Sequence, residues 1–185
     1  YFFEPTNEIP KEPGFFPNDD NIIYKTEATI QAQSKYSLSI YLEDKEKIVY
    51  AETTSLGYLT VIDPLAIPER TINLNIGQNY NCAWKPVQNA GVYQVIITFH
   101  YMEYFGQDSA QKQFVWPQAF TSPLTSVESL SKDISGSRFF NIMDDHIPVM
   151  DGVIRKAQGV DFVILSGGEE IKFYIESTAP SEGAL

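Results

Sequence analysis

The chain has 185 residues, enough for one large or two small domains that bury a hydrophobic core without a disulfide or a metal. Its 24 acidic residues outnumber 13 basic ones, giving a net charge of −11, which excludes the basic face that nucleic-acid binding requires and disfavours an anionic membrane surface. No stretch approaches the roughly 18 consecutive apolar residues of a transmembrane helix.

The N-terminal region contains a proline-rich segment followed by an alternating pattern. Four prolines within residues 1–21 exclude a regular helix or a central strand there. Residues 36–42 alternate with period two, which predicts a half-buried strand. A polar turn at residues 43–46 and a second strand at residues 47–53 complete a predicted antiparallel hairpin. Four residues share the apolar face of its first strand: Tyr36, Leu38, Ile40 and Leu42.

A domain boundary is predicted where two prolines, Pro64 and Pro68, interrupt the strand pattern. We place an N-terminal β-strand subdomain at residues 1–65, with the alternative that it is incomplete at its N-terminus. Residues 66–185 then form a fibronectin-III-like sandwich with C-terminal helices. The same pattern also allows the first 65 residues to add strands to the second domain.

The middle of the chain carries the strongest strand signals. Residues 71–76, 80–85 and 92–104 each alternate between apolar and polar positions, which predicts three strands. The second ends Cys-Ala-Trp-Lys-Pro, and the third begins Gly-Val-Tyr-Gln-Val-Ile-Ile after a polar turn. This order is typical of a fibronectin-III-like sandwich, in which Trp84 fills the middle and Tyr93 packs beside it. One side of the third strand is formed by Tyr93, Val95, Ile97, Phe99 and Tyr101.

The single cysteine, Cys82, excludes a disulfide within the chain. It shares a strand face with Tyr80 and Trp84, and no basic neighbour that would activate the thiol is apparent. We therefore predict a buried structural thiol.

The C-terminal third mixes strands with two short helices. Residues 113–117 read as a short strand and residues 118–135 as a long loop. Helical spacing predicts one helix near residues 137–147, ended by Pro148, and another near residues 168–176. Residues 160–165 are apolar on both faces, which predicts a buried strand. The fold class is therefore mainly β, an immunoglobulin/fibronectin-III-like β-sandwich with two short helices in its C-terminal third.

No residue cluster predicts catalysis, a metal site or a cofactor. Neighbours in Asp144-Asp145-His146 point about 100° apart on a helix and cannot converge on a metal. His100 lies mid-strand between aromatic residues, which favours packing. The serines lack the Gly-x-Ser-x-Gly motif. We predict a protein that is not an enzyme, with a hydrolase that uses Asp144 and a distant carboxylate as a less favoured alternative.

Aromatic residues are the remaining candidates for ligand binding. Four of them lie near the end of one predicted strand and on its predicted partner: Tyr101, Tyr104, Phe105 and Trp116. Aromatic platforms bind sugars and peptides, and exposed apolar patches mark interfaces. The competing interpretation is that these side chains fill the core.

The order of these segments resembles an uncharacterised family of Bacteroidetes surface lipoproteins, over most of residues 36–181. The hairpin ends Tyr-Ala-Glu-Thr at residue 53, and the strand containing Trp84 and the long strand of residues 92–103 follow. The predicted helix at residues 139–147 comes next. The remaining segments are Val153-Ile-Arg155, residues 161–164 and residues 170–181.

The resemblance implies an extracytoplasmic β-sandwich, anchored to the outer membrane and located on the cell surface or in the periplasm. Its only contact with the membrane would be a lipid anchor outside this sequence. Such proteins accompany TonB-dependent nutrient receptors, and no catalytic residues are established for them. We expect a non-enzymatic accessory or binding module whose partner is an outer-membrane receptor, another surface protein, or a glycan or peptide. The alternative is a structural or adhesive surface subunit.

Overall fold

The computed structural model describes residues 2–8, 23–67, 70–123 and 127–178. Within these ranges the protein is mainly β, with four small sheets and two helices. The chain divides into two compact units, Tyr1–Gln31 and Ala32–Leu185. The boundary expected at residue 65 stays a prediction.

The first unit contains a small antiparallel sheet of two strands. Strand β1 (Glu4–Thr6) pairs with β2 (Ile23–Lys25) over three residues. An exposed ion pair joins Lys25 Nζ to Glu8 Oε2 at 3.1 Å, and such surface pairs stabilise a fold only slightly. Most of the proline-rich segment lies outside the described residues.

The second unit begins with the predicted hairpin, which the structure confirms. Strand β3 (Lys35–Leu42), a 3-10 turn (Glu43–Lys45) and β4 (Lys47–Thr54) form an unbroken antiparallel ladder. We call this two-stranded element the arm. At its base the Gln33 N–H donates to the Leu56 carbonyl at 3.3 Å. The Gln33 side chain donates to Gln88 Oε1 at 2.7 Å, which ties the base of the arm to the loop after Lys85.

The remaining elements follow in chain order: β5 (Thr60–Asp63), β6 (Asn79–Lys85), β7 (Val92–Phe105), β8 (Asp108–Pro117), β9 (Leu130–Ser135), α1 (Gly136–His146), β10 (Val153–Gly167) and α2 (Glu169–Thr178). The predicted strands at β6 and β7 and both predicted helices are confirmed. The strand predicted at residues 71–76 is wrong, because this segment has no regular structure. The loop predicted at residues 118–135 is also wrong over β9, whose six residues contain only two apolar ones.

Two three-stranded antiparallel sheets, β5–β6–β9 and β10–β7–β8, share one apolar core. Trp84 on β6 is fully buried, and its ring lies 5.6 Å from that of Tyr93 on β7, as the sequence predicts. Phe139 on α1 also belongs to this core. The inward side of β7 is the predicted one, since its odd-numbered side chains from Tyr93 to Tyr101 belong to the core or are half-buried.

A β-bulge sets which side chains of β10 face the core. Its pairing with β7 shifts between Ala157 and Gly159, which leaves one residue of β10 unpaired. Odd-numbered residues of β10 face the same side as the core residues of β7 before this point, and even-numbered residues do so after it. After the bulge Phe162 lies opposite Ile97 and contacts the core, whereas Val163 is 45% exposed on the outer side. The prediction that this strand is buried on both faces is therefore wrong, because only its inner face packs.

Helix α1 begins where the chain leaves β9. Ser135 is its N-cap, and the Ser135 Oγ accepts a hydrogen bond from the Arg138 N–H at 3.3 Å. A Cβ at Gly136 would lie 2.0 Å from the Asn75 carbonyl oxygen. The first helical residue must therefore be glycine, because the irregular segment before β6 runs directly against it.

Candidate functional site

The four predicted aromatic residues do not form one surface. Trp116 is only 6% exposed and packs against Phe139, with ring centroids 6.1 Å apart. Tyr101 stacks on Phe99 at 5.8 Å on the inner side of β7. Trp116 and Ser109, the partner of Tyr104, are separated by seven residues of β8, which is about 24 Å along a strand. Trp116 thus belongs to the core, whereas Tyr101 is partly exposed.

Tyr104 and Phe105 are the accessible members of the set, at 37% and 44% exposure. The Lys156 amine on β10 lies 5.3 Å from the centroid of the Tyr104 ring, a cation–π geometry that occupies one face of this ring. Phe105 ends β7 beside the turn to β8. Ligand binding by these residues stays a prediction, and only this pair has the access it requires.

The acidic residues at the C-terminal end of α1 lie on the exposed surface of the helix. Asp144 and Asp145 are exposed, and the His146 ring packs on Phe114 at 4.8 Å. The His146 Nδ1 lies 2.9 Å from the Ile142 carbonyl oxygen, one turn earlier. In the part of the chain that the structure describes, no group of three His, Cys, Asp or Glu side chains is arranged to hold a metal ion.

One hydrogen bond and one ion pair link the side chains of β7 and β10, and neither was predicted from the sequence. His100 Nε2 lies 2.7 Å from Asp161 Oδ2 on the outer side of the sheet. Arg155 Nε donates to Glu103 Oε1 at 2.7 Å in a mostly buried pair, and its Nη1 donates to the Pro148 carbonyl. These pairs depend on strand register, which no local motif reveals, and they help to fix that register.

A third polar cluster joins β5 to β6. The Asp63 carboxylate accepts hydrogen bonds from the Tyr80 hydroxyl and the Arg70 guanidinium. Burial, together with the hydrogen bond to Asp63, raises the pKa of Tyr80 well above its ordinary value. Burial also raises the pKa of the Cys82 thiol, to about 11, and the Asp63 charge adds to the effect. The predicted burial of this thiol is confirmed.

The arm carries exposed apolar side chains on both of its faces. The face of even-numbered β3 residues is aliphatic, with side chains between 38% and 48% exposed: Leu38, Ile40, Leu42 and Val49. We call these four residues the aliphatic face. On the opposite face Tyr41, Ile48 and Tyr50 are more exposed still. The first strand was expected to bury its apolar face, and this is wrong over the described residues, because no described element packs extensively on that face and its side chains stay partly in water.

Both outer edges of the arm are open within the described residues, since β3 and β4 pair only with each other. The sequence predicted the hairpin and its apolar face, and the structure adds that the face lies uncovered. An isolated two-stranded ribbon is at best marginally stable in water. The arm is therefore the candidate binding surface that we consider further.

Comparison of the chain with known protein families, with curated proteins and with solved structures returns no match. Over the described ranges, no helix has the length and apolar character needed to cross a membrane. The resemblance to Bacteroidetes surface lipoproteins stays a prediction.

Proposed function

We propose that this protein is a non-enzymatic binding module of the cell envelope that holds a polypeptide partner on the aliphatic face of its arm. The observation that carries the proposal is the exposure of Leu38, Ile40, Leu42 and Val49 on a ribbon that packs on little else. Contiguous exposed apolar surface in a soluble domain marks an interaction site.

The chemistry of the face favours a polypeptide over a glycan. Sugars stack on aromatic rings, whereas the centre of this face is the aliphatic cross-strand pair Ile40 and Val49. Covering the exposed half of each such side chain stabilises a complex by on the order of 1 kcal/mol. Four of them, with the open backbone edges beside them, support an interface of modest affinity.

The finer architecture and the cellular role belong to the same proposal. Trp84 packed beside Tyr93 between two three-stranded sheets supports an immunoglobulin/fibronectin-III-like sandwich. The resemblance to envelope lipoproteins supports attachment to the outer membrane and a TonB-dependent nutrient receptor as the partner. The net charge of −11 favours a neutral or basic surface on that partner.

A structural or adhesive surface subunit is the second candidate. The observation that favours it is that β3 pairs with β4 alone among the described strands, because edge strands can add strands from other chains. A subunit of this kind would assemble with copies or homologues of itself, whereas an accessory module would bind a receptor.

The test is to measure binding of purified protein to TonB-dependent outer-membrane receptors of its source organism, using two matched variants. The double substitution Ile40→Thr with Val49→Thr removes the central pair of the aliphatic face and keeps β-branched residues. Tyr41→Thr with Ile48→Thr removes the neighbouring pair on the opposite face. We expect at least tenfold weaker binding from the first variant, since four side chains supply most of the contact, and little change from the second.

Circular dichroism of both variants controls for folding. Equal binding by the two folded variants would show that the aliphatic face is not the site. Binding lost only in a Tyr104→Ala variant would place the site at the end of β7 instead.

A further inference from the structure

The face of the arm opposite the aliphatic face combines aromatic rings with polar side chains. It contains three cross-strand pairs of β3 and β4, and we call it the tyrosine face: Ser37 with Glu52, Ser39 with Tyr50, and Tyr41 with Ile48. Tyr41 is 59% exposed and Tyr50 is 71% exposed. Both tyrosine rings are therefore accessible to a ligand in solution.

The two tyrosines lie close enough together to contact one extended ligand. Tyr41 is the diagonal neighbour of Tyr50, because the pair of Tyr41 with Ile48 lies next to the pair of Ser39 with Tyr50 on the same face. The Cβ atoms of diagonal neighbours on a β-ribbon are about 7 Å apart. The C–H groups on the flat side of a sugar ring are attracted to the negative face of an aromatic ring. Consecutive sugar units of one chain can therefore stack on the two tyrosines.

A polar cluster beside the rings supplies hydrogen-bond partners for sugar hydroxyls. Lys35 Nζ lies 2.6 Å from Glu52 Oε2, and Ser37 Oγ donates to Glu52 Oε1 at 3.1 Å. The Lys35 amine, and to a lesser extent the Ser37 hydroxyl, lowers the pKa of Glu52, so the carboxylate is charged at neutral pH. A carboxylate has about four lone-pair sites, so about two of them remain for hydroxyl donors of a ligand.

The composition of the tyrosine face favours a neutral glycan over a polypeptide. Serine, lysine and glutamate are depleted at the core of protein–protein interfaces, yet Ser37, Ser39 and Glu52 lie beside the rings, with Lys35 next to them. The pairing of Lys35 with Glu52 leaves this group of side chains without a net charge, which matches an uncharged ligand. An anionic glycan would be repelled by the net charge of −11.

We propose that the tyrosine face binds a neutral glycan chain, with Tyr41 and Tyr50 stacking on its sugar rings and Glu52 accepting hydrogen bonds from its hydroxyls. The inference goes beyond the proposed function, because it concerns the opposite face of the arm and a different class of ligand. The site is an open surface and not a cleft, so it encloses little of the ligand and its affinity is low.

The test is affinity gel electrophoresis of the whole chain in gels that each contain one neutral polysaccharide: starch, xylan, glucomannan or mixed-linkage β-glucan. Polygalacturonate serves as the anionic comparison. We expect at least one neutral polysaccharide to retard the protein, relative to a gel without polysaccharide, and polygalacturonate to leave it unretarded. Retardation over increasing polysaccharide concentration gives a dissociation constant for each variant.

Substitutions on the tyrosine face test the role of each group. Tyr50→Ala removes the more exposed ring and should weaken binding by about tenfold or more, whereas Tyr50→Phe keeps the ring and should retain most of the affinity. Glu52→Gln keeps the size of the side chain and should weaken binding by about three- to tenfold, because a charged acceptor is lost. Tyr58→Ala is the matched control, since Tyr58 is an exposed tyrosine outside the arm, and should bind like the wild type. Circular dichroism shows whether each variant is folded.

Three results would overturn the proposal. The first is that no neutral polysaccharide retards the wild type, and the second is that folded Tyr50→Ala is retarded as strongly as the wild type. The third is equal retardation by polygalacturonate. If polysaccharides do not retard the wild type but folded Tyr50→Ala loses receptor binding, the tyrosine face binds a polypeptide instead. Receptor binding by the aliphatic face is tested with Ile40→Thr and Val49→Thr, so either proposal can fail while the other holds.

Discussion

The shared core of the two three-stranded sheets and the arm are built from the same kind of strand but end in opposite environments. Strand β7 in the core and strand β3 in the arm both alternate apolar and polar residues. Val95 and Ile97 of β7 are almost completely buried, whereas Leu38 and Ile40 of β3 are nearly half exposed. Alternation thus tells which face of a strand is apolar. What covers that face is decided by other parts of the chain or by another molecule.

The largest expected effect lies in the core that the two three-stranded sheets share. Replacing Trp84 by Ala removes a fully buried ring from the centre of the core, and should lower the free energy of unfolding by about 3–5 kcal/mol. Urea unfolding followed by circular dichroism measures the change. Tyr58, which is 87% exposed, is the control, and Tyr58→Ala should stay within about 0.5 kcal/mol. Similar losses in both variants would mean that Trp84 does not lie in a packed core.

A smaller effect should follow from the buried thiol. The Cys82 thiol has its pKa raised from 9.0 to about 11, so the unfolded chain ionises it at lower pH than the folded protein does. Its contribution to stability is fully present below pH 9 and is lost as pH rises through 11. This amounts to on the order of 2–3 kcal/mol.

The measurement is the pH dependence of urea unfolding for the wild type and Cys82→Ala. The free energy of unfolding should fall less steeply with rising pH in the variant, because the contribution of the thiol is missing. The other groups that titrate in this range contribute equally to both proteins. Parallel curves for the two proteins between pH 9 and 11 would show that the thiol is accessible to water in the folded state.

The smallest effect on global stability is expected in the arm. Substituting Ile40→Thr with Val49→Thr should change the free energy of unfolding by no more than about 0.5 kcal/mol, because both side chains are already half in water. Hydrogen exchange should nevertheless show faster exchange throughout β3 and β4, with β7 unaffected, since the arm opens locally. An equal increase of the hydrogen-exchange rate in β7 would show that the arm and the shared core unfold as one unit.

Much of the fold follows from local signals. The sequence predicted the hairpin, β6, β7 and both helices, because in each of them the spacing of apolar residues or a residue that ends the element is clear. It also predicted that Cys82 is buried. Strand β9 was missed because Leu130 and Ile134 are its only apolar residues and polar side chains fill the gap between them. The segment at residues 71–76 alternates yet forms no strand, although its Leu74 still packs on the core.

The candidate site was less predictable, because it depends on register and on what lies across a sheet. Trp116 and Tyr104 look equivalent in the sequence. Pairing places Trp116 opposite Ile97 on the inner side, and Tyr104 opposite Ser109 on the outer side. The exposure of the arm has no sequence signal either, since an exposed strand and a covered one show the same alternation of apolar and polar residues.

The positions of the two tryptophans have a practical consequence for spectroscopy. Trp84 and Trp116 are the only tryptophans in the sequence, and both lie in the shared apolar core. The arm carries tyrosines but no tryptophan. Indole fluorescence should therefore report on the core and be blind to the arm. Tyrosine absorbance would not separate the two regions, because Tyr80 and Tyr93 belong to the core. The chain thus contains its own optical probe of the core without any added label.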